Sequence, residues 1–133
     1  MCKLGDIILV NSYKDGNNTL SRHSFVVISD EQGEIQGLPY DFICNVMSSF
    51  KDDTQRARKL KYHGNFEISS DDTNIENGNT KDGYIKSEQF YYFKKSNLDY
   101  QQIGTMTIEC FNKLVEFIKE LNEDEFKNII DNL

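Results

Sequence analysis

Apolar residues gather in short clusters over roughly the first hundred positions and then change their spacing. Asp6-Ile7-Ile8-Leu9-Val10 is a continuous apolar run, and Ser24-Phe25-Val26-Val27-Ile28 is a second one rich in β-branched residues. Both read as buried strands. Between them Asn11 to Thr19 is polar and contains glycine, which predicts a long loop. The second run is closed by the turn-like Ser29-Asp30-Glu31-Gln32-Gly33. Tyr40 to Phe50 predicts a third strand. Leu60 to Ile68, alternating loosely around Tyr62, Phe66 and Ile68, predicts a fourth. Ser69 to Gly83 is rich in Ser, Asp, Asn, Thr and Gly and reads as a loop. Gly83 to Lys94, with Tyr84 and Phe90-Tyr91-Tyr92-Phe93, predicts a fifth strand.

The tail follows a helical period. Ile108, Phe111, Leu114, Val115, Ile118 and Leu121 share one face at helical spacing, with Thr107 placed as the N-cap. Asn122 and Glu125 resemble a capping box and predict a short final helix carrying Phe126, Ile129 and Ile130. Strands first and helices last, without the spacing of βαβ units, predict one mainly β (α+β) domain over 1–133. Its expected form is a small antiparallel barrel or strongly curved sheet with a C-terminal helix.

Composition narrows the class. The 133 residues include 38% apolar and 28% charged positions, enough for a compact interior in a single domain. No apolar run is long enough to span a bilayer, and the opening Met1-Cys2-Lys3-Leu4-Gly5-Asp6 lacks the apolar core of a signal peptide. The expected location is the cytoplasm, with no membrane partner. Cys2, Cys44 and Cys110 are odd in number and far apart, so neither a disulfide scaffold nor a zinc site is expected. Cys44 and Cys110 read as small buried hydrophobes. There is no Walker A sequence, dinucleotide fingerprint or His-Glu-x-x-His, so no cofactor and no metal is expected.

The net charge of −7 argues against a protein that coats nucleic acid indiscriminately. The sign reverses locally. Residues 51–66 carry Lys51, Arg56, Arg58, Lys59 and Lys61 against Asp52 and Asp53. This run is either a solvated surface segment or a basic lip that holds phosphates. Tyr62 and His63 stand beside it, as residues that stack on bases do in readers of single strands.

Five segments, in order, resemble the PemK/MazF family of toxin endoribonucleases from bacterial toxin–antitoxin pairs. Gly5-Asp6-Ile7-Ile8-Leu9-Val10 is similar to the family's first strand. Arg22-His23-Ser24-Phe25-Val26-Val27-Ile28 falls where the family has Arg-Pro before a Val/Ile-rich strand. Val46-Met47-Ser48-Ser49 resembles the end of the third strand, Ser87-Glu88-Gln89-Phe90 the fifth, and Ile103-Gly104-Thr105-Met106 the start of the final helix region.

The resemblance implies an SH3-like barrel of the CcdB/PemK kind, a homodimer, and an antitoxin protein as partner. It also implies metal-independent cleavage of single-stranded RNA by attack of a ribose 2′-OH on the adjacent phosphate. Such chemistry needs a proton acceptor, a proton donor and hydrogen-bond donors for the charged phosphorane. Carried onto this chain, the family's Arg falls on Arg22 or on His23, depending on whether residue type or the apolar run sets the alignment. Its Thr/Ser falls on Ser48. Arg22 can hold phosphate through two hydrogen bonds, whereas His23 can also move a proton near neutrality. Arg56, Arg58, Lys59, Lys61 and Gln89 are the expected RNA-binding residues. The chain departs from the family in lacking Arg-Pro and in a long segment from Lys51 to Arg58. The alternatives are a non-catalytic SH3-like module that binds RNA or protein, and a gyrase poison like CcdB acting through the helical tail.

Overall fold

Ile7, Ile8 and Val10 are all fully buried. Neighbouring side chains on a strand point to opposite faces, so the sheet must be covered on both sides where this strand runs. The computed structural model describes residues 3–16, 18–75 and 82–133. In it the buried residues fall into two clusters. Ile8, Val10, Phe25, Val27 and Val46 belong to one, and Ile7, Val26, Met47 and Ile85 to the other.

The first two strands, β1 (Asp6–Asp15) and β2 (Asn18–Ser29), form a long antiparallel hairpin. A small separate hairpin follows from β3 (Gly33–Ile35) and β4 (Leu38–Tyr40). The chain continues through β5 (Phe42–Ser49), α1 (Asp53–Lys59), β6 (Asn65–Ile68), β7 (Thr73–Ile75), β8 (Gly83–Lys86) and β9 (Gln89–Phe93). It ends with β10 (Tyr100–Met106), α2 (Ile108–Glu120) and β11 (Lys127–Ile129). The main sheet runs β11-β9-β5-β2-β1-β10-β7, with β8 also on β5 and β6 on β8. Its pairings are antiparallel except for β11 alongside β9, which is parallel.

The domain is therefore mainly β, of the α+β kind, as the pattern predicts. Among the described residues the hydrogen-bonded path does not close, because β7 and β11 stand at its ends. Of the two expected forms, the small barrel is thereby corrected to an open sheet. It is still curved: every fully enclosed member of the first cluster lies on a strand, so the sheet wraps around that cluster. Register shifts at Ile7/Ile8 and at Val27/Ser29 supply local bends. The second cluster is roofed by α2, whose Thr107 cap accepts from the Cys110 amide and whose Cys110 and Leu114 are buried. Cys44 is buried in the first cluster and Cys110 in the second. Met1 and Cys2 lie outside the described residues.

β5 changes partner along its length. Phe42 to Cys44 pair with β9, while Met47 to Ser49 pair with β8. At the join, fully buried Asn45 donates its side-chain amide to the carbonyl oxygen of Gln89 at 2.8 Å. The expected fifth strand over 83–94 is accordingly two strands, interrupted at Ser87 and Glu88.

Other expectations are also corrected. Apart from residue 17, which lies outside the described residues, the expected loop Asn11–Thr19 is the far end of the β1–β2 hairpin. Tyr13 anchors it with edge-to-face contacts to Phe25 and Tyr91, and Asn132 and Asp131 of the tail accept from the Lys14 and Gly16 amides. Within the basic run, Asp53–Lys59 forms α1, a helix the sequence pattern does not predict, and only Asn65–Ile68 of the expected fourth strand is strand. Ile103 to Met106 lie in β10 and not at the start of a helix. The expected final helix is a short 3₁₀ turn followed by β11, because Ile129 completes the first cluster and Phe126 packs edge-on against Phe90. Of the expected loop 69–83, Thr73–Ile75 is an edge strand, and residues 76–81 lie outside the described residues.

Candidate functional site

The ladder between β2 and β5 ends with Ser24 opposite Met47. The next residues outward are His23 on one strand and Ser48 on the other. The strands part here, and an open cleft of about 450 Å³ lies between them and α1. Arg22, His23, Ser48, Lys51 and Lys59 line it, together with Gln55 and Tyr84. No carboxylate lines it among the described residues. Three permanent cations around one hollow in an acidic chain make a local site for anions.

Each side chain has a local reason for its place. His23 sits opposite Val10 on the β1–β2 ladder and meets the Tyr13 ring edge-on at 5.8 Å. Its Nδ1 lies 3.1 Å from the carbonyl oxygen of Ser21. A carbonyl only accepts, so Nδ1 carries the hydrogen and Nε2 holds the free lone pair of the neutral ring. Ser48 is half-buried and its hydroxyl has no hydrogen-bond partner among the described residues. Opposite Ser48 on β8 stands Tyr84, whose ring stacks on Phe50 at 5.3 Å. β8 reaches β5 this closely because residue 83 is glycine: a Cβ there would collide with the Ser48 carbonyl oxygen.

The other wall is α1. Asp52 caps it, accepting from the Gln55 amide at 2.7 Å, and the Gln55 side chain in turn accepts from the Lys51 amide at 2.6 Å. This reciprocal cap fixes Lys51 at the helix entrance. Gln55 and Lys59, one turn apart, then fall on the same side, and both reach the cleft. The Lys59 ammonium lies 5.9 Å from the centre of the Tyr62 ring.

The structure thus brings Arg22, His23, Ser48 and Lys59 together, and leaves the other expected residues outside. Arg56 is ion-paired with Glu67 and lies over the Phe50 ring at 6.0 Å, so its charge is compensated. Arg58 and Lys61 are exposed and do not line the cleft. Gln89 is on β9 beside Lys127 of β11, and its carbonyl is taken by Asn45. His63 stands 3.9 Å from Glu125, also outside the cleft.

Lys51, named only as part of the basic run, and Gln55 and Tyr84, neither named as a site residue, also belong to the cleft. The signal for the first two is the spacing Asp52…Gln55, an N-cap followed three residues later by its partner. Nothing local marks Tyr84, which depends on the pairing of β5 with β8.

No family model and no curated protein matches this chain.

Proposed function

We propose that the chain is an endoribonuclease toxin of the PemK/MazF kind, cutting single-stranded RNA and held in check by an antitoxin protein. Its curved sheet would be an open variant of the SH3-like barrel, and the working unit a homodimer. The observation that carries this reading is the single cleft that gathers Arg22, His23, Ser48 and Lys59 and that no described carboxylate lines.

The chemistry follows from those groups. A diester phosphate in the cleft has its charge met by Arg22 and Lys59. His23 accepts the 2′-OH proton on Nε2, the lone pair that the Ser21 contact leaves available. The 2′ oxygen forms its bond to phosphorus as the bond to the 5′ oxygen breaks, giving a 2′,3′-cyclic phosphate and a free 5′-hydroxyl. Negative charge gathers on the non-bridging oxygens in between, and the Ser48 hydroxyl and the Arg22 guanidinium donate to them. The leaving 5′ oxygen takes its proton from a lysine ammonium, since Lys51 and Lys59 are the exchangeable cationic donors in reach of the cleft. Arg22 is unsuited to that step because it does not give up its proton.

The test is purified protein with single-stranded RNA in EDTA, followed by mapping of the product ends. Cyclic phosphate and 5′-hydroxyl ends, lost in His23→Ala, support the reading. Bound but uncut RNA assigns the cleft to a binding module instead.

A further inference from the structure

A second hollow lies on the other side of Ser48. It is smaller, about 150 Å³, and shares Ser24, Met47, Ser48 and Ser49 with the cationic cleft. Its remaining walls are of a different character. Ile68, Ile75 and Ile103 line it, contributed by β6, β7 and β10, with Thr73 among them. No charged side chain lines it among the described residues.

An anion alone explains the cleft but leaves this hollow unused. A peptide carboxylate or free phosphate has no flat apolar part to enter it. An occupant suited to both hollows carries a phosphate and, one short linkage away, a flat ring with polar edges. A nucleotide has that composition. The volume then selects among bases, because a cavity of about 150 Å³ holds one six-membered ring, and a purine adds a second, fused ring.

We propose that this hollow is a pyrimidine pocket, taking the base of the nucleotide whose phosphate lies against Arg22 and Lys59. This rests on the reading of the cleft as an RNA phosphate site. Ile68, Ile75 and Ile103 face the ring, while Ser24, Ser49 and Thr73 offer hydroxyls that donate to or accept from its polar edge. Ser48 stands in both walls and couples the base held to the phosphate cut. RNA would then be cleaved beside pyrimidines in preference to purines.

The experiment uses 2′-deoxyuridine 3′,5′-bisphosphate and 2′-deoxyadenosine 3′,5′-bisphosphate, which cannot undergo 2′-OH attack. Binding is therefore read independently of cleavage. Each is titrated into the full chain while isoleucine methyl resonances are followed by NMR. The expected result is movement of the Ile68, Ile75 and Ile103 methyls with the uridine compound and an affinity at least about tenfold above that of the adenosine compound. Ile103→Phe, which fills the hollow, should abolish the preference, and Ile75→Phe serves if the first variant does not fold. Inorganic phosphate should still perturb the Ser48 amide in either. Equal or tighter binding of the adenosine compound, no binding of either, or shifts confined to the cleft would overturn the proposal. A pyrimidine preference without RNA cleavage would overturn the nuclease reading and leave the pocket standing. Cleavage without the preference would do the reverse.

Discussion

The Nδ1 of His23 lies 3.1 Å from the carbonyl oxygen of Ser21, two residues back on the same strand. That contact fixes which ring nitrogen carries the hydrogen and makes Nε2 the basic one. Under the nuclease reading the neutral ring is the active form. Cleavage should therefore be slower in acid, where a protonated ring has no lone pair to accept the 2′-OH proton. His23→Ala should lower the rate roughly 100- to 10,000-fold, the span of a lost general base. A pH–rate profile of the wild type that is flat from acid to neutral would remove His23 from the proton transfer.

Charge in the cleft predicts a split among the basic residues. Arg22→Ala and Lys59→Ala should each weaken binding of single-stranded RNA and reduce the slope of log affinity against log salt by about 0.7, one phosphate contact. Arg58→Ala, Lys61→Ala and Gln89→Ala should leave that slope unchanged, since none of the three lines the cleft. Fluorescence anisotropy at several salt concentrations measures both. Equal effects from all five substitutions would mean that RNA tracks the basic run and not the cleft.

Helix α1 is only seven residues long and buries none of them. Its integrity depends on the Asp52–Gln55 cap, so Asp52→Ala should cost about 1 kcal/mol where it is felt. Lys51 and Lys59 sit at its two ends, so the loss should also appear as weaker RNA binding. Amide exchange over residues 53–59 and anisotropy on the same variant test the two consequences together. Unchanged exchange rates would show that packing alone holds the helix.

These relationships explain how unevenly the sequence could be read. Segments with buried neighbours in the chain were legible: Ile7 to Val10 and Phe25 to Ile28 are strands, and Thr107 begins a helix that buries Leu114 and partly buries Phe111 and Ile118, although Ile108 of the expected apolar face is exposed. Segments ordered by distant partners were not. The polar Asn11 to Asp15 is strand because its backbone pairs with β2 and its tip is held by Asp131 and Asn132. Lys127 to Ile129 is strand because β9 offers an open edge, although Phe126, Ile129 and Ile130 suit a helical stripe equally well. The cleft shows the same division. Arg22 and His23 precede the second apolar run and Ser48 lies near the end of the third, so the runs reveal them, while Tyr84 depends on a β5–β8 register that no local pattern encodes.

Stability should fall in alkali, for reasons visible in the core. Burial pushes the Cys110 thiol up from 9.0 to about 11, with Asp72 adding to the effect and Lys113 opposing it. Burial, with Asp15 beside it, pushes the Tyr13 phenol up from 10.0 to about 12. In both cases the folded protein holds its proton more tightly than the unfolded chain. Their contribution is complete below the unfolded values and is lost as pH rises through the folded ones. Urea midpoints should decline from about pH 9 as the thiol responds and steepen above about pH 10 as Tyr13 joins it. Cys110→Ala should flatten the first part of that decline; parallel curves for variant and wild type would exclude the thiol as its source.

Gly83 lets β8 lie against the Ser48 carbonyl, and its substitution tests whether that approach positions the cleft. A Cβ at residue 83 would run into the backbone of Ser48 and Ser49, atoms that cannot swing aside as a side chain end can. Gly83→Ala must therefore push β8 from β5, at a cost of about 1–3 kcal/mol for the overpacking. The displacement falls on Ser48 and on Tyr84 opposite it, both in the cleft wall. RNA cleavage by the folded fraction should drop by more than Arg58→Ala produces. A variant with wild-type stability and wild-type cleavage would show that the close approach of these two strands has no part in holding the serine.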